Sequence, residues 1–253
     1  MIRFLFILIF ITPSLATANP VLLEYIAYPG CAPQSGDHAH EDHSDADHIH
    51  HVSRFKQTPP EETFANTIQK HPDIIAFTCY LDYSSYEIKD REARKQTVDK
   101  FCADRSYMAF KTIHKDEEFS TGDMIINGRK DTSGLYQNVI DSAITFAAAQ
   151  DNVQAITLNK SGETLSLALP KIKSDTPLAL TLLGLQNTKI IDPFEDPENP
   201  YTVTYHNVVT AFKRLPQWDG AAQSISTKTL SGDKIIAFAQ NEETGKIVAA
   251  GKF

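Results

Sequence analysis

Val21-Leu22-Leu23-Glu24-Tyr25-Ile26-Ala27-Tyr28 is a short, nearly continuous apolar run, closed by Pro29-Gly30. A run of this length ending in turn residues reads as a buried strand. Cys31 stands at the strand's C-terminal exit, and immediately beyond it the chain changes character. Asp37-His38-Ala39-His40-Glu41-Asp42-His43-Ser44-Asp45-Ala46-Asp47-His48-Ile49-His50-His51 holds six of the nine histidines, interleaved with carboxylates. From Ala32 to Gln57 no helix or strand period repeats, and the charge density is that of a solvated loop.

Order resumes at Thr58-Pro59-Pro60-Glu61. Thr58 and Glu61 have the spacing of a capping box and the prolines suit a first helical turn, so a helix is expected with Phe64 and Ile68 on its buried stripe. Asp73 to Tyr83, with the apolar run Ile74 to Leu81, reads as a second strand carrying Cys79. Val98, Phe101, Cys102 and Arg105 mark a second helix with Cys102 on its apolar side. Met124-Ile125-Ile126-Asn127-Gly128 reads as a third strand entering a tight hairpin turn. Leu135, Val139, Ile140, Ala143, Ile144 and Ala147 outline a third helix ending near Gln150. The order strand, helix, strand, helix, strand, turn, helix predicts a compact α/β unit with the first strand central.

From Val153 the pattern becomes a series of β-type runs: 153–158, 164–169, 178–185, 201–212, 223–227, 234–240 and 246–252. Turn sequences such as Lys160-Ser161-Gly162-Glu163, Ser231-Gly232-Asp233 and Glu243-Thr244-Gly245 separate them, as in an antiparallel β-sandwich.

Upstream, Arg3 precedes an apolar stretch from Phe4 to Ile11, followed by Pro13 and the small-residue pattern Ala16-Thr17-Ala18. This predicts a secretory signal peptide over residues 1–18, and hence a periplasmic or secreted protein. The stretch is shorter than the roughly 20 residues a spanning helix needs, so no membrane insertion is expected after cleavage. A formal charge of -8 without a basic cluster disfavours nucleic acid and anionic lipid as partners, while favouring metal cations or a basic protein.

Several of these stretches resemble an exported family known as domain of unknown function 1223. The resemblance lies in Gly30-Cys31 after the first strand, Phe77 to Tyr83 with Asp82-Tyr83, Ile125-Ile126-Asn127-Gly128, Tyr205-His206-Asn207-Val208-Val209 and Trp218-Asp219-Gly220. It implies a thioredoxin-like domain over 19–150, interrupted by a His-rich insertion at 35–57, and an appended β-rich domain over 151–253, in a Gram-negative periplasm. Two departures stand out. Cys31-Ala32-Pro33-Gln34 lacks the second cysteine of a Cys-x-x-Cys, and Thr121-Gly122 stands where a Thr-Pro is expected before the third strand.

Thiol exchange needs an activated thiolate and a resolving cysteine. Cys31 has no such partner next door, which leaves three readings. Cys79 and Cys102 form a structural disulfide, Cys31 pairs with Cys79 across adjacent strands, or no disulfide forms. Asp82, near the same strand edge, is either a buried acid of the thiol site or a turn-forming carboxylate.

In the histidine tract, His38-x-His40, His40-x-x-His43 and His48-x-His50-His51 let a flexible chain bring two imidazoles to one ion. Asp37, Glu41, Asp42, Asp45 and Asp47 can complete the shell. Zinc, copper(II) or nickel suits this donor set. His71 reads as a capping or surface residue, His206 as a packing residue, and Trp218 as a core anchor. No Gly-rich phosphate loop or Ser-His-Asp pattern occurs, so no nucleotide or organic cofactor is expected. Three functions remain: divalent-metal buffering, sensing or delivery; monothiol redox chemistry at Cys31 with Cys79 resolving; and a non-catalytic module that docks a periplasmic partner.

Overall fold

The structure, a computed structural model, describes residues 19–27, 58–81, 97–114, 122–192 and 202–253. The expected signal peptide, Cys31, the His-rich tract, Asp82 and Thr121 lie outside the described residues.

Strand β1 (Leu22–Ala27) is buried along its whole length. Leu22, Glu24 and Ile26 face one side while Leu23, Tyr25 and Ala27 face the other, because successive side chains alternate across a pleated strand. Both faces are covered, which is why this strand reads as a continuous apolar run instead of an alternating one. Helix α1 (Pro60–Lys70) follows, then β2 (Ile75–Tyr80), α2 (Val98–Ala109) continued by a π-helical turn to His114, β3 (Asp123–Ile126), β4 (Lys130–Ser133) and α3 (Gln137–Gln150). The second half supplies β5 (Gln154–Ala155), β6 (Thr157–Ser161), β7 (Thr164–Leu169), β8 (Ala179–Ile191), β9 (Val203–Arg214), β10 (Gln223–Lys228), β11 (Lys234–Gln240) and β12 (Ile247–Lys252).

The thioredoxin-like α/β class followed by a β-sandwich is overturned. The molecule is mostly β, and its main element is a nine-stranded mixed sheet in the order β4-β3-β1-β2-β9-β8-β11-β12-β5. β1 runs parallel to β2 and antiparallel to β3. The reason lies at the outer edge of β2, which is paired and not free. β9 joins it in parallel at Thr78 and Val208, the Thr78 hydroxyl donates to the His206 carbonyl at 2.7 Å, and the Asn207 amide donates to the Ala76 carbonyl at 3.1 Å. An unpaired edge is a template for another strand, and here a distant part of the same chain fills it.

Two further expectations change. α1 has no capping box: its N-cap is Pro59, without a side-chain cap, and the Thr58 N–H donates to the Leu135 carbonyl. Pro60 at the first helical position, acidic Glu61 and Glu62 in the first turn and Lys70 in the last still suit the helix dipole. Val139 is exposed, so α3 buries only Ile140, Ala143, Ile144 and Ala147.

The main sheet has apolar packing on both sides. α1 and α3 cover one face through Phe64, Ile140 and Ile144 against Leu23, Tyr25 and Met124. On the other, α2 lays Phe101 and Cys102 against Leu22, Ile26, Phe77 and Phe238. A three-stranded sheet, β10-β7-β6, packs Leu165 and Leu167 against Leu180, Leu182 and Ala237, with Trp218 in the same cluster.

Candidate functional site

Of the sequence-derived site residues, Cys79 and Cys102 fall in described segments. They form a disulfide with Cα atoms 5.2 Å apart, and both residues are fully buried. β2 carries one and α2 the other, so the bond pins helix to sheet. Cys79 is thereby unavailable to Cys31, and the Cys31–Cys79 pairing is set aside. Cys31, Asp82 and the metal-ligand candidates Asp37, His38, His40, Glu41, Asp42, His43, Asp45, Asp47, His48, His50 and His51 lie outside the described residues.

One turn beyond Cys102, the guanidinium of Arg105 enters the same core. Its Nε donates to both carboxylate oxygens of Glu24, at 2.9 and 3.1 Å, and Nη2 donates to Glu24 Oε2 as well. Nη1 donates to Gln240 Oε1 at 2.5 Å, and the Gln240 amide donates to the Gly245 carbonyl at 2.6 Å. Glu24 is fully buried and Arg105 nearly so, with the guanidinium 5.4 Å from the Phe238 ring centroid. Periodicity places Arg105 on the helix stripe but does not point to Glu24 as its partner. The usable signal is a lone carboxylate inside an otherwise apolar strand, since a charge there requires a buried counter-charge.

A more open feature lies between the first turn of α1 and the start of β9. It is a cleft of about 320 Å³ lined by Pro59, Glu61, Glu62, Ala65, Thr202, Val203, Thr204 and His206. Burial, and secondarily the neighbouring Glu62 charge, raise the Glu61 carboxyl above its ordinary value, although its own backbone N–H opposes this. Burial and the positive Lys234 depress His206, leaving a neutral imidazole at pH 7. The wall thus presents an imidazole from β9 and two carboxylates from the start of α1, the helix that follows the His-rich stretch in the chain. Among the described residues, however, no group of three or more His, Cys, Asp or Glu side chains is placed to hold a metal ion.

His71 occupies the C-cap of α1 and contacts Asp141 Oδ1 at 3.0 Å. Burial opposes ionisation of Asp141, but hydrogen bonds from Lys70, His71 and Gln137 outweigh it and hold the carboxyl below its ordinary value. That pair is a surface clasp between α1 and α3.

Two sequence motifs turn out to be architectural. Asn127 adopts a left-handed φ of 50°, followed by Gly128 at 69°, conformations that Asn and Gly tolerate best. The Asn127 carboxamide accepts from the Leu22 N–H at 2.8 Å and donates to Asp151 at 2.7 Å, tying the hairpin to β1 and to the end of α3. At Gly128 a Cβ would sit 2.1 Å from the Gly245 carbonyl oxygen. Asn207, also left-handed at 51°, joins β9 to β2 and accepts from Lys234 Nζ at 2.8 Å. Asn127→Ala strands the buried Leu22 N–H and strains the turn. We expect a loss of about 2 kcal/mol, read as a lowered urea midpoint with unchanged slope.

Residues 56–242 match the family described as Protein of unknown function (DUF1223). A comparison with curated proteins finds no match. The fold is similar to the crystal structure of an Agrobacterium tumefaciens protein solved as a structural genomics target. The TM-score is 0.64 at 15% identity, covering 94% of this chain and 95% of that one. Among the described residues no helix is long and apolar enough to cross a membrane. With a family match spanning most of its length, this chain belongs to DUF1223, a family of proteins of unknown function.

Proposed function

We propose that the protein is an exported divalent-metal-binding protein, with residues 37–51 as the binding segment and buffering, sensing or delivery as its task. The observation that carries this reading is the donor density of that segment, six imidazoles interleaved with five carboxylates. Neutral imidazole with carboxylate is the ligand set of zinc, copper(II) and nickel. Donors spaced this closely along one stretch of chain favour several exchanging sites over one fixed tetrahedron.

Other observations support it. The described chain on either side of the segment is well held: β1 is buried to Ala27, and the Thr58 N–H donates to the Leu135 carbonyl. Glu61, Glu62 and His206 line a cleft at the start of α1, which follows the segment in sequence. A buried disulfide suits an oxidising compartment, in line with the N-terminal export pattern. Because Cys79 is bonded to Cys102, Cys31 lacks the resolving thiol that exchange chemistry needs, which favours binding over turnover. A periplasmic protein that receives or supplies the ion is the natural partner.

The test is metal analysis of untagged protein purified from the periplasm. We expect at least about one equivalent of zinc or copper, released as pH falls through about 6.5, where free histidine takes up its proton. Deleting residues 37–51 should abolish this metal; unchanged metal content after the deletion would sink the proposal.

A further inference from the structure

We propose that the Cys79–Cys102 disulfide is a redox latch for α2: oxidation docks the helix over Glu24, and reduction releases it while the nine-stranded sheet stays folded. The inference starts from how little apolar surface α2 brings to the core. Its buried residues are Phe101, Cys102, Arg105 and Ala109, so one of the four is a charge and another is alanine. By comparison, α3 buries Ile140 and Ile144 with two alanines and no charge.

The charge adds no net drive for docking. Burying an Arg–Glu pair removes two ions from water, and their mutual attraction roughly offsets that loss at best. What remains is the Phe101 ring stacked on Phe212 at 5.2 Å, Ala109, the partly buried Val98, Ala103 and, on the π-helical turn beyond, Ile113, and the covalent tie. Cys79 and Cys102 are 23 residues apart, so their bond removes the loop-closure entropy that a detached α2 would otherwise regain. That is worth about 100-fold or more in the docking equilibrium.

The sheet has no such dependence. β1 is held by β2 and β3, β2 also by β9, and β8 pairs along its length with β9 and β11. The other two apolar clusters contain no α2 residue. Releasing α2 would uncover Glu24, Gln240 and the stacked Phe77 and Phe238 rings, a surface that the oxidised protein hides.

The chemistry is thiol-disulfide exchange with a disulfide-bearing oxidant. One cysteine thiolate attacks the oxidant's disulfide to give a mixed disulfide, and the second displaces it. The protein loses two protons and two electrons and the oxidant leaves as a dithiol; a dithiol reductant runs the same steps backwards. Both cysteines are buried, so exchange takes place during brief local openings of α2, and reduction then makes the open state persistent.

Native-state hydrogen exchange on the full chain tests this, comparing oxidised protein, protein reduced with dithiothreitol, and Cys79→Ala/Cys102→Ala. Amides of 98–109 should lose about 100-fold in protection in the last two, while β8, β9 and β11 change by less than about threefold. Adding Glu24→Met and Arg105→Met to the cysteine-free protein should restore most of the protection, because an apolar pair makes docking favourable without the bond. Three results would overturn the latch: protection of 98–109 that survives reduction, loss of protection spread equally over the sheet, or failure of the methionine pair to restore it.

Discussion

Replacing Arg105 with alanine lowers the stability of the oxidised protein by about 3–5 kcal/mol, the largest loss expected from any single polar substitution in the chain. The cost does not measure the strength of the pair. It arises because Glu24 is fully buried on β1 and loses three of its hydrogen bonds at once, leaving an uncompensated charge among Leu22, Ile26, Phe77 and Phe238. Gln240 Oε1 loses its donor in the same step. Glu24→Met/Arg105→Met should recover most of the loss, since an apolar pair of similar volume carries no desolvation penalty. Denaturant titration of both single variants and the double variant forms the cycle that checks it. A double variant as unstable as Arg105→Ala would mean that the shape of the pair, not its charge, supports α2.

Trp218→Ala should cost about as much, about 3–5 kcal/mol, with a melting point lowered by about 10 °C, for a different reason. Trp218 is fully buried where the three-stranded sheet meets β8 and β11, in contact with the cluster of Leu165, Leu167, Leu180 and Leu182. Its backbone bridges Leu178, and the indole N–H donates to the Ala221 carbonyl at 2.7 Å. Truncation leaves a cavity lined by side chains already held by two sheets, so collapse recovers little, and Ala221 loses its donor. Trp218→Phe, which keeps most of the volume, should lose markedly less. Calorimetry of the two variants separates the cavity from the hydrogen bond, and equal losses would assign the effect to the hydrogen bond alone.

Much of the fold was readable residue by residue. β1 announced itself by an apolar run closed at Pro29-Gly30, and the β-rich half by runs separated at Gly162, Gly232 and Gly245, each of which has a positive φ. Such features are local: side-chain alternation, turn chemistry and helical periodicity act over a few residues. The fold class was misread at one place, the edge of β2. Nothing in Ile75–Tyr80 says that Val208 will pair with Thr78, because a backbone edge carries no label for its partner.

Site legibility followed the same division. Cys79 and Cys102 were recognisable as a strand residue and a helix-face residue, while their choice over Cys31 required the 5.2 Å approach of two Cα atoms. Asn127-Gly128 and Asn207 were visible as motifs, yet their role as ties between β1, β2 and distant turns emerges only from hydrogen bonds spanning 105 and 131 positions. The Glu24–Arg105–Gln240 network and the meeting of Glu61 and Glu62 with His206 bring together residues far apart in sequence.

Alone, the sequence determined the family, most of the order of strands and helices, though not β4 or the split of 153–158 into β5 and β6, and the donor chemistry of the 37–51 segment, since each depends on residue types and short spacings. Tertiary structure alone decided that one sheet runs through both halves, which cysteines pair, and that a buried salt bridge sits beneath α2. These depend on which surfaces meet after the chain has folded back on itself, and burial and edge pairing are properties of the assembled sheet, not of any stretch within it.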